Sequence, residues 1–239
     1  MNSYFSFKQF TIQQDKCAMK VCTDACLFGA WVANKLETEK DKPSNILDIG
    51  TGTGLLSLML AQKITATIHA VEMDENTFTQ AKENFENSIF SNQITAYQKD
   101  ILDFESEEKY DCIISNPPFF ENQLKSDDEA RNKAMHATTL SLENLLKKIK
   151  ELLSNKGRAY LLLPFYCIKD FEKTVLSESL YITEIVKINH NNTKPFFRVF
   201  IEISRQQKIK IENIITIKNA ENFYTEPFKN LLEDYYLRL

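Results

Sequence analysis

The chain predicts an α/β fold in which a mostly parallel sheet carries helices on both faces, and three observations support that prediction. Short apolar runs alternate with segments of helical period from residue 45 to residue 177. Three of the five glycines fall within positions 50–54, where the first run gives way to its helix. An acidic residue stands at or beside the end of each of the first three runs: Asp48, Glu72 and Asp100.

Asn45-Ile46-Leu47-Asp48-Ile49-Gly50 reads as a strand, and the Leu55–Ala61 stretch that follows has helical spacing. Strands are then expected at Thr67–Glu72, Ile94–Gln98, Tyr110–Ser115 and Arg158–Leu163, with helices at Glu75–Asn87, Leu142–Leu153 and Ile168–Ser177. Two long β-rich stretches, Tyr181–Asn189 and Phe196–Arg205, are joined by the polar loop His190–Pro195 with no helix between them, so they should pair antiparallel. The sum is a seven-stranded, mostly parallel sheet with a reversed strand near its end.

A chain of 239 residues, 43% apolar, is long enough for one well-filled domain, and no linker or internal repeat divides it. A charged fraction of 26% together with long aliphatic segments excludes a disordered chain. No uncharged apolar run approaches the ~20 residues of a membrane span. Residues 1–20 place Lys8, Asp15, Lys16 and Lys20 among single aromatics, unlike a secretory signal, so a cytoplasmic location is expected. The five cysteines, at 17, 22, 26, 112 and 167, include no C-x-x-C pair and read as reduced thiols. His69, His136 and His190 are isolated, and no metal site is expected.

Charge is uneven. The first 120 residues hold ten Lys and Arg against seventeen Asp and Glu, and the remainder holds nineteen against sixteen. Within 187–210, Lys187, Lys194, Arg198, Arg205, Lys208 and Lys210 face the single Glu202, which gives either a phosphate-facing patch or a solvated strand pair.

The glycine cluster, Asp48-Ile49-Gly50-Thr51-Gly52-Thr53-Gly54, sits at a strand-to-helix turn, where missing Cβ atoms let backbone approach a nucleotide-like ligand. A dinucleotide fingerprint would require glycine at 55, where Leu55 stands. The D-x-G-x-G-x-G pattern instead resembles the S-adenosylmethionine loop of class I methyltransferases, which have a Rossmann-like fold. That resemblance makes Asp48, Gly50, Gly52 and Gly54 candidate cofactor residues. It also implies Glu72 for the ribose hydroxyls, and Asp100 and Ile101 for the adenine. The fourth strand runs into Asn116-Pro117-Pro118-Phe119, which is similar to the N-P-P-[YF] signature of enzymes that methylate a planar nitrogen. Such an amine is conjugated and a poor nucleophile, so acceptors must bind its hydrogens and aim the lone pair out of plane. Asn116 and the Pro117 carbonyl can do this, and Phe119 offers a stacking face.

The segments Phe7–Ile12 and Gln14–Trp31, with the tail Phe223-Tyr224-Thr225 and Phe228 to Leu237, resemble the tRNA(Val) adenine-N6 methyltransferases over the length of the chain. The resemblance implies methyl transfer from S-adenosylmethionine to an adenine beside the anticodon of a tRNA. It places Lys20, Thr23 and Asp24 at the methionine end of the cofactor, with Thr23 as a helix cap the competing role. Residues 1–45 would cover cofactor and substrate, 46–206 form the core, and 207–239 extend it. Ala134-Met135-His136 stands where relatives are expected to carry an Arg, leaving Arg131 and Lys133 as substitutes. Phe119, Phe120, Phe196 and Phe197 are candidates for stacking bases, although core is the preferred reading of the last two. The remaining alternatives are methylation of an rRNA guanine or a protein glutamine, a non-catalytic RNA-binding protein, and, more distantly, a dehydrogenase.

Overall fold

The computed structural model describes residues 2–17, 19–118 and 140–239. The amino-terminal segment forms a small antiparallel pair, β1 (Tyr4–Ser6) and β2 (Thr11–Gln13), followed by helix α1 (Thr23–Thr38). The alternating region then gives β3 (Asn45–Ile49), α2 (Leu55–Lys63), β4 (Thr67–Glu72), α3 (Glu75–Glu86), β5 (Ile94–Gln98) and β6 (Tyr110–Ser115). After it come α4 (Leu142–Leu152), β7 (Leu153–Pro164), α5 (Ile168–Ser177), β8 (Tyr181–Asn189), β9 (Phe196–Ser204), β10 (Ile211–Thr216) and α6 (Glu226–Leu232).

The main sheet has eight strands in the order β10-β8-β9-β7-β6-β3-β4-β5. Only β9 is reversed, running antiparallel to both β7 and β8. The expected seven strands are all present, and β10 is the eighth. Its pattern is hidden because Ile211, Glu212, Asn213 and Ile214 are all exposed on the sheet edge, where neither face supplies an apolar run. β7 also begins earlier than expected, directly at the carboxyl cap of α4.

Both faces of the sheet are buried, which is why its inner strands read as near-continuous apolar runs. Ile46, Cys112, Ile114, Tyr160, Leu162 and Phe200 pack on one side against α1, α2 and α3. Leu47, Ile49, Ile113, Leu161 and Ile201 pack on the other against Leu145, Leu146 and Ile149 of α4 and Phe171 and Val175 of α5. The carboxyl-terminal tail joins the first of these layers: Phe228, Leu232 and Tyr235 are buried, and the Tyr235 hydroxyl donates to the Met59 carbonyl at 3.0 Å. No helix among the described residues is long and apolar enough to cross a membrane, and no cluster of metal-ligating side chains occurs among them. All five cysteines are free.

Candidate active site

The site is set by the register of β3. Ile49 is paired with Val71 of β4 on one side and with Ser115 of β6 on the other. The buried Ser115 hydroxyl donates to the Ile49 carbonyl at 2.8 Å, locking the two strand ends together. The next residues along the two strands are Gly50 and Asn116, so the glycine turn and the N-P-P motif leave the sheet side by side, about one strand spacing of 4.8 Å apart. Gly50 N and Thr51 N both donate to the Val71 carbonyl, at 2.9 and 3.1 Å, which fixes the start of the turn.

Gly50, Gly52 and Gly54 all have left-handed backbone, with φ of 68°, 59° and 84°. Their surroundings separate them into two roles. A Cβ on Gly50 or Gly52 would meet nothing within 4 Å, whereas on Gly54 it would lie 2.4 Å from the Phe85 ring. Gly54 also occupies the amino-cap position of α2. The first two glycines open a cradle, and the third lets the helix pack on α3.

That cradle forms one wall of a cavity lined by Gly50, Thr51, Gly52, Thr53, Leu55 and Leu56. The rest of the lining comes from the amino-terminal segment and the start of α1, through Met19, Lys20, Val21, Cys22 and Ala25, and from Asn116. Lys20 Nζ hydrogen-bonds the Gln14 carbonyl. Pro117, next to Asn116, is buried. Phe119 and Phe120 lie outside the described residues, as do Arg131, Lys133 and Ala134 to His136.

Asp48 lies fully buried beneath the turn. Its Oδ2 accepts from the Thr51 hydroxyl at 2.6 Å and the Ser57 hydroxyl at 2.7 Å, while Oδ1 has no partner. Burial pushes its carboxyl up to about 6 against the opposing effect of those two hydrogen bonds. Glu72, at the end of β4, accepts from Gly52 N at 3.0 Å through Oε2, and through Oε1 from Met73 N and Asp74 N at 3.0 and 3.1 Å. The carboxylate therefore anchors the middle of the glycine turn and keeps lone pairs for a diol. Asp100 accepts from Leu102 N at 2.9 Å and caps a short turn that buries Ile101. Two open left-handed glycines, with acids at the three adjoining strand ends, fit a nucleoside cofactor bound through its backbone-facing edge.

Several expected residues take other places. Thr23 is exposed and does not line the cavity; nor does it cap α1, because Cys22 holds that position with no side-chain cap bond. Asp24 pairs with Arg198 of β9 at 2.7 Å. The basic window 187–210 does not make one surface. β9 spans nine residues, about 27 Å of strand, so Arg198 at its start and Arg205 beyond its end lie at opposite edges of the sheet. Lys187 and Lys210 are paired with Glu212, and Arg205 hydrogen-bonds the Lys150 and Leu153 carbonyls. Lys194 and Lys208 remain exposed on opposite edges. Phe196 and Phe197 are half-buried; Phe197 packs against the margin of the buried core and stacks on His190 with centroids 4.1 Å apart. The cavity residues Met19, Val21 and Cys22 lie within the Gln14–Trp31 segment that carries the resemblance, but nothing in the sequence singles them out individually.

Over residues 30–162 the chain matches the family described as "Methyltransferase small domain". In the solved structure of a predicted O-methyltransferase from Agrobacterium tumefaciens the same fold covers 87% of this chain and 95% of that one, with a TM-score of 0.66 at 14% identity. The chain therefore belongs to the methyltransferase small-domain family and has the fold of these methyltransferases. A protein of Christiangramia forsetii, named tRNA1(Val) (adenine(37)-N6)-methyltransferase, is 40% identical over 100% of this chain and 99% of its own length. One of the same name from Dyadobacter fermentans is 40% identical over 99% and 98%. The chain belongs to this tRNA1(Val) (adenine(37)-N6)-methyltransferase family.

Proposed function

We propose that the chain methylates N6 of adenine 37 in tRNA1(Val), with Asn116 and Pro117 presenting the amine and the Gly50–Gly52 cradle holding the methyl donor. The carrying observation is the Ile49–Ser115 pairing, which sends Gly50 and Asn116 into one cavity from adjacent strands. S-adenosylmethionine supplies an electrophilic sulfonium methyl when bound. Glu72 accepts the ribose hydroxyls, Asp100 and Ile101 meet the adenine, and Lys20 faces the methionine end. Gly54 contributes through the packing of α2 and Asp48 through the turn it supports.

On the substrate side, the Asn116 amide oxygen and the Pro117 carbonyl accept the two amine hydrogens, turning the lone pair out of the ring plane toward the methyl. By the N-P-P-F resemblance Phe119, outside the described residues, is the proposed stacking face for the base. In that geometry the amine would take the donor's sulfonium methyl, the C–S bond breaking as the N–C bond forms, and would release one proton to solvent. Positioning supplies most of the rate, so no strong general base is required.

The carboxyl edge of the sheet divides at β6. The cofactor residues follow β3, β4 and β5, while the ends of β7, β8 and β10 and the start of β9 form the other half. That half carries the His190–Phe197 stack, Arg198 over the Phe197 ring at 5.7 Å, the exposed Tyr166 and Phe223, and Lys194. Aromatic faces interleaved with cations are suited to the unstacked bases and phosphates of an anticodon loop. This half of the edge, which keeps Lys194 and Arg198 of the 187–210 window and leaves out Arg205 and Lys208, is the tRNA face. The chemistry belongs to the cytoplasm, where tRNA and the methyl donor occur together.

Replacing Asn116 with Ala tests the assignment. Turnover should fall by at least about a hundredfold, the scale of losing an aimed acceptor or donor, while cofactor affinity stays within about twofold. Loss of cofactor affinity instead would mean that Asn116 holds the donor.

A further inference from the structure

Two amide side chains on one face of α3 are buried at 1% and 2% exposure: Gln80 and Asn84. Buried amides one turn apart demand partners, and here the partners are backbone groups of two other segments. Asn84 Oδ1 accepts from Gln13 N at 2.9 Å, and its Nδ2 donates both to the Gln13 carbonyl at 2.9 Å and to the Thr53 carbonyl at 2.8 Å. Gln80 Oε1 accepts from Lys16 N at 3.0 Å. Thr53 lies in the glycine turn and lines the cavity. Gln13 and Lys16 lead into the segment Met19 to Cys22, the amino-terminal wall of the cavity. Within that segment the buried Gln14 continues the connection, its Oε1 accepting from Val21 N at 2.8 Å.

Asn84 is thus the junction where both walls of the cofactor cavity are tied to α3. Both of its N–H groups are committed, one to each wall, and a carboxylate of the same shape could make neither bond. Phe85, the next residue, packs on the Gly54 end of the same turn, so α3 holds the turn at two points.

We propose that Asn84, supported by Gln80, is a positioning residue that couples the amino-terminal wall to the glycine turn, so that cofactor binding orders both together. The inference rests on S-adenosylmethionine occupying this cavity. It touches neither the methyl donor nor the adenine; its effect is on the affinity for the donor, not on the transfer step.

The test compares wild type, Asn84→Ala, Asn84→Asp and Gln80→Ala by calorimetric titration with S-adenosylmethionine and by hydrogen exchange of residues 13–22 with and without it. Wild type should gain exchange protection in 13–22 on binding. Asn84→Ala should weaken binding by about tenfold, the scale of one buried hydrogen bond, and should lose that gain in protection. The Asp variant should be no better than Ala, because it keeps only the acceptor. At saturating donor, kcat should stay within about threefold while the donor KM rises with the Kd. Gln80→Ala, which breaks the tie to Lys16 N and a long 3.4 Å bond to Glu83 on the same helix, should shift Kd in the same direction by about threefold, the lower end for one neutral hydrogen bond. It carries the test if neither Asn84 variant folds. Unchanged Kd in the folded variants, with a lowered melting temperature alone, would overturn the coupling and leave only a structural role. Failure of wild type itself to bind the donor would overturn the reading of the cavity, and the inference with it.

Discussion

Asp48 gives the sharpest link between the buried geometry and a measurable curve. Its carboxyl is fully buried, with Oδ1 unpartnered, and is raised from 3.8 to about 6 by desolvation. The folded protein therefore disfavours the ionised form. The stabilisation from the protonated acid is complete below about pH 3.8 and is lost as pH rises through about 6. Integrated between about pH 4.5 and 7.5, this shift costs the folded state about 2 kcal/mol. Asp48→Asn removes the titration while an amide oxygen still accepts from Thr51 and Ser57. Its Nδ2 would take the place of the unpartnered Oδ1, so the absolute offset between the proteins can have either sign, and the slope carries the information. Urea unfolding across that pH range should show wild type losing about 2 kcal/mol relative to the Asn variant as pH rises. Parallel stability curves would refute the argument, since they would mean that the carboxyl titrates alike in the folded and unfolded chains.

Gly54 and Gly52 of the turn should respond differently to Ala. At Gly54 a Cβ would be driven into Phe85, and left-handed backbone adds strain, so about 3 kcal/mol of stability should be lost, or roughly 6–12 °C in a thermal melt. At Gly52 space is open, so about 1 kcal/mol of strain is expected, and the main loss should be donor affinity in a binding titration. A stable Gly54→Ala protein, or a Gly52→Ala protein with normal affinity, would reverse the roles. Removing the Phe197 ring should raise the tRNA KM by about tenfold, the lower range for one base stack, with donor Kd unchanged in steady-state and binding assays. A wild-type tRNA KM would move the RNA face elsewhere.

What could be read from the chain followed from where its rare backbone residues stand. Gly50, Gly52 and Gly54 mark a turn that regular structure cannot make, and Pro117 marks the end of β6, so both halves of the site were visible as interruptions of apolar period. That they meet was legible only through strand adjacency, which the Ile49–Ser115 pairing supplies. Sequence could not divide the glycines, because the division depends on Phe85 across from Gly54. Counting charges along 187–210 misled for a related reason: consecutive residues of β9 travel from one edge of the sheet to the other, and several of the cations are already paired. Of the stretch Met19 to Cys22 only Lys20 was legible, through the resemblance; the place of its neighbours is set by Gln14, Gln80 and Asn84 through hydrogen bonds to backbone groups.

The central claim is that this cavity brings a methyl donor to one adenine amine of a tRNA. It is tested most directly by incubating the protein with labelled S-adenosylmethionine and total tRNA from a strain lacking the enzyme, then mapping the label by mass spectrometry of nuclease fragments. N6-methyladenosine at position 37 of tRNA1(Val), absent with Asn116→Ala, is the predicted result. Label confined to guanine, to protein or to DNA would contradict the account.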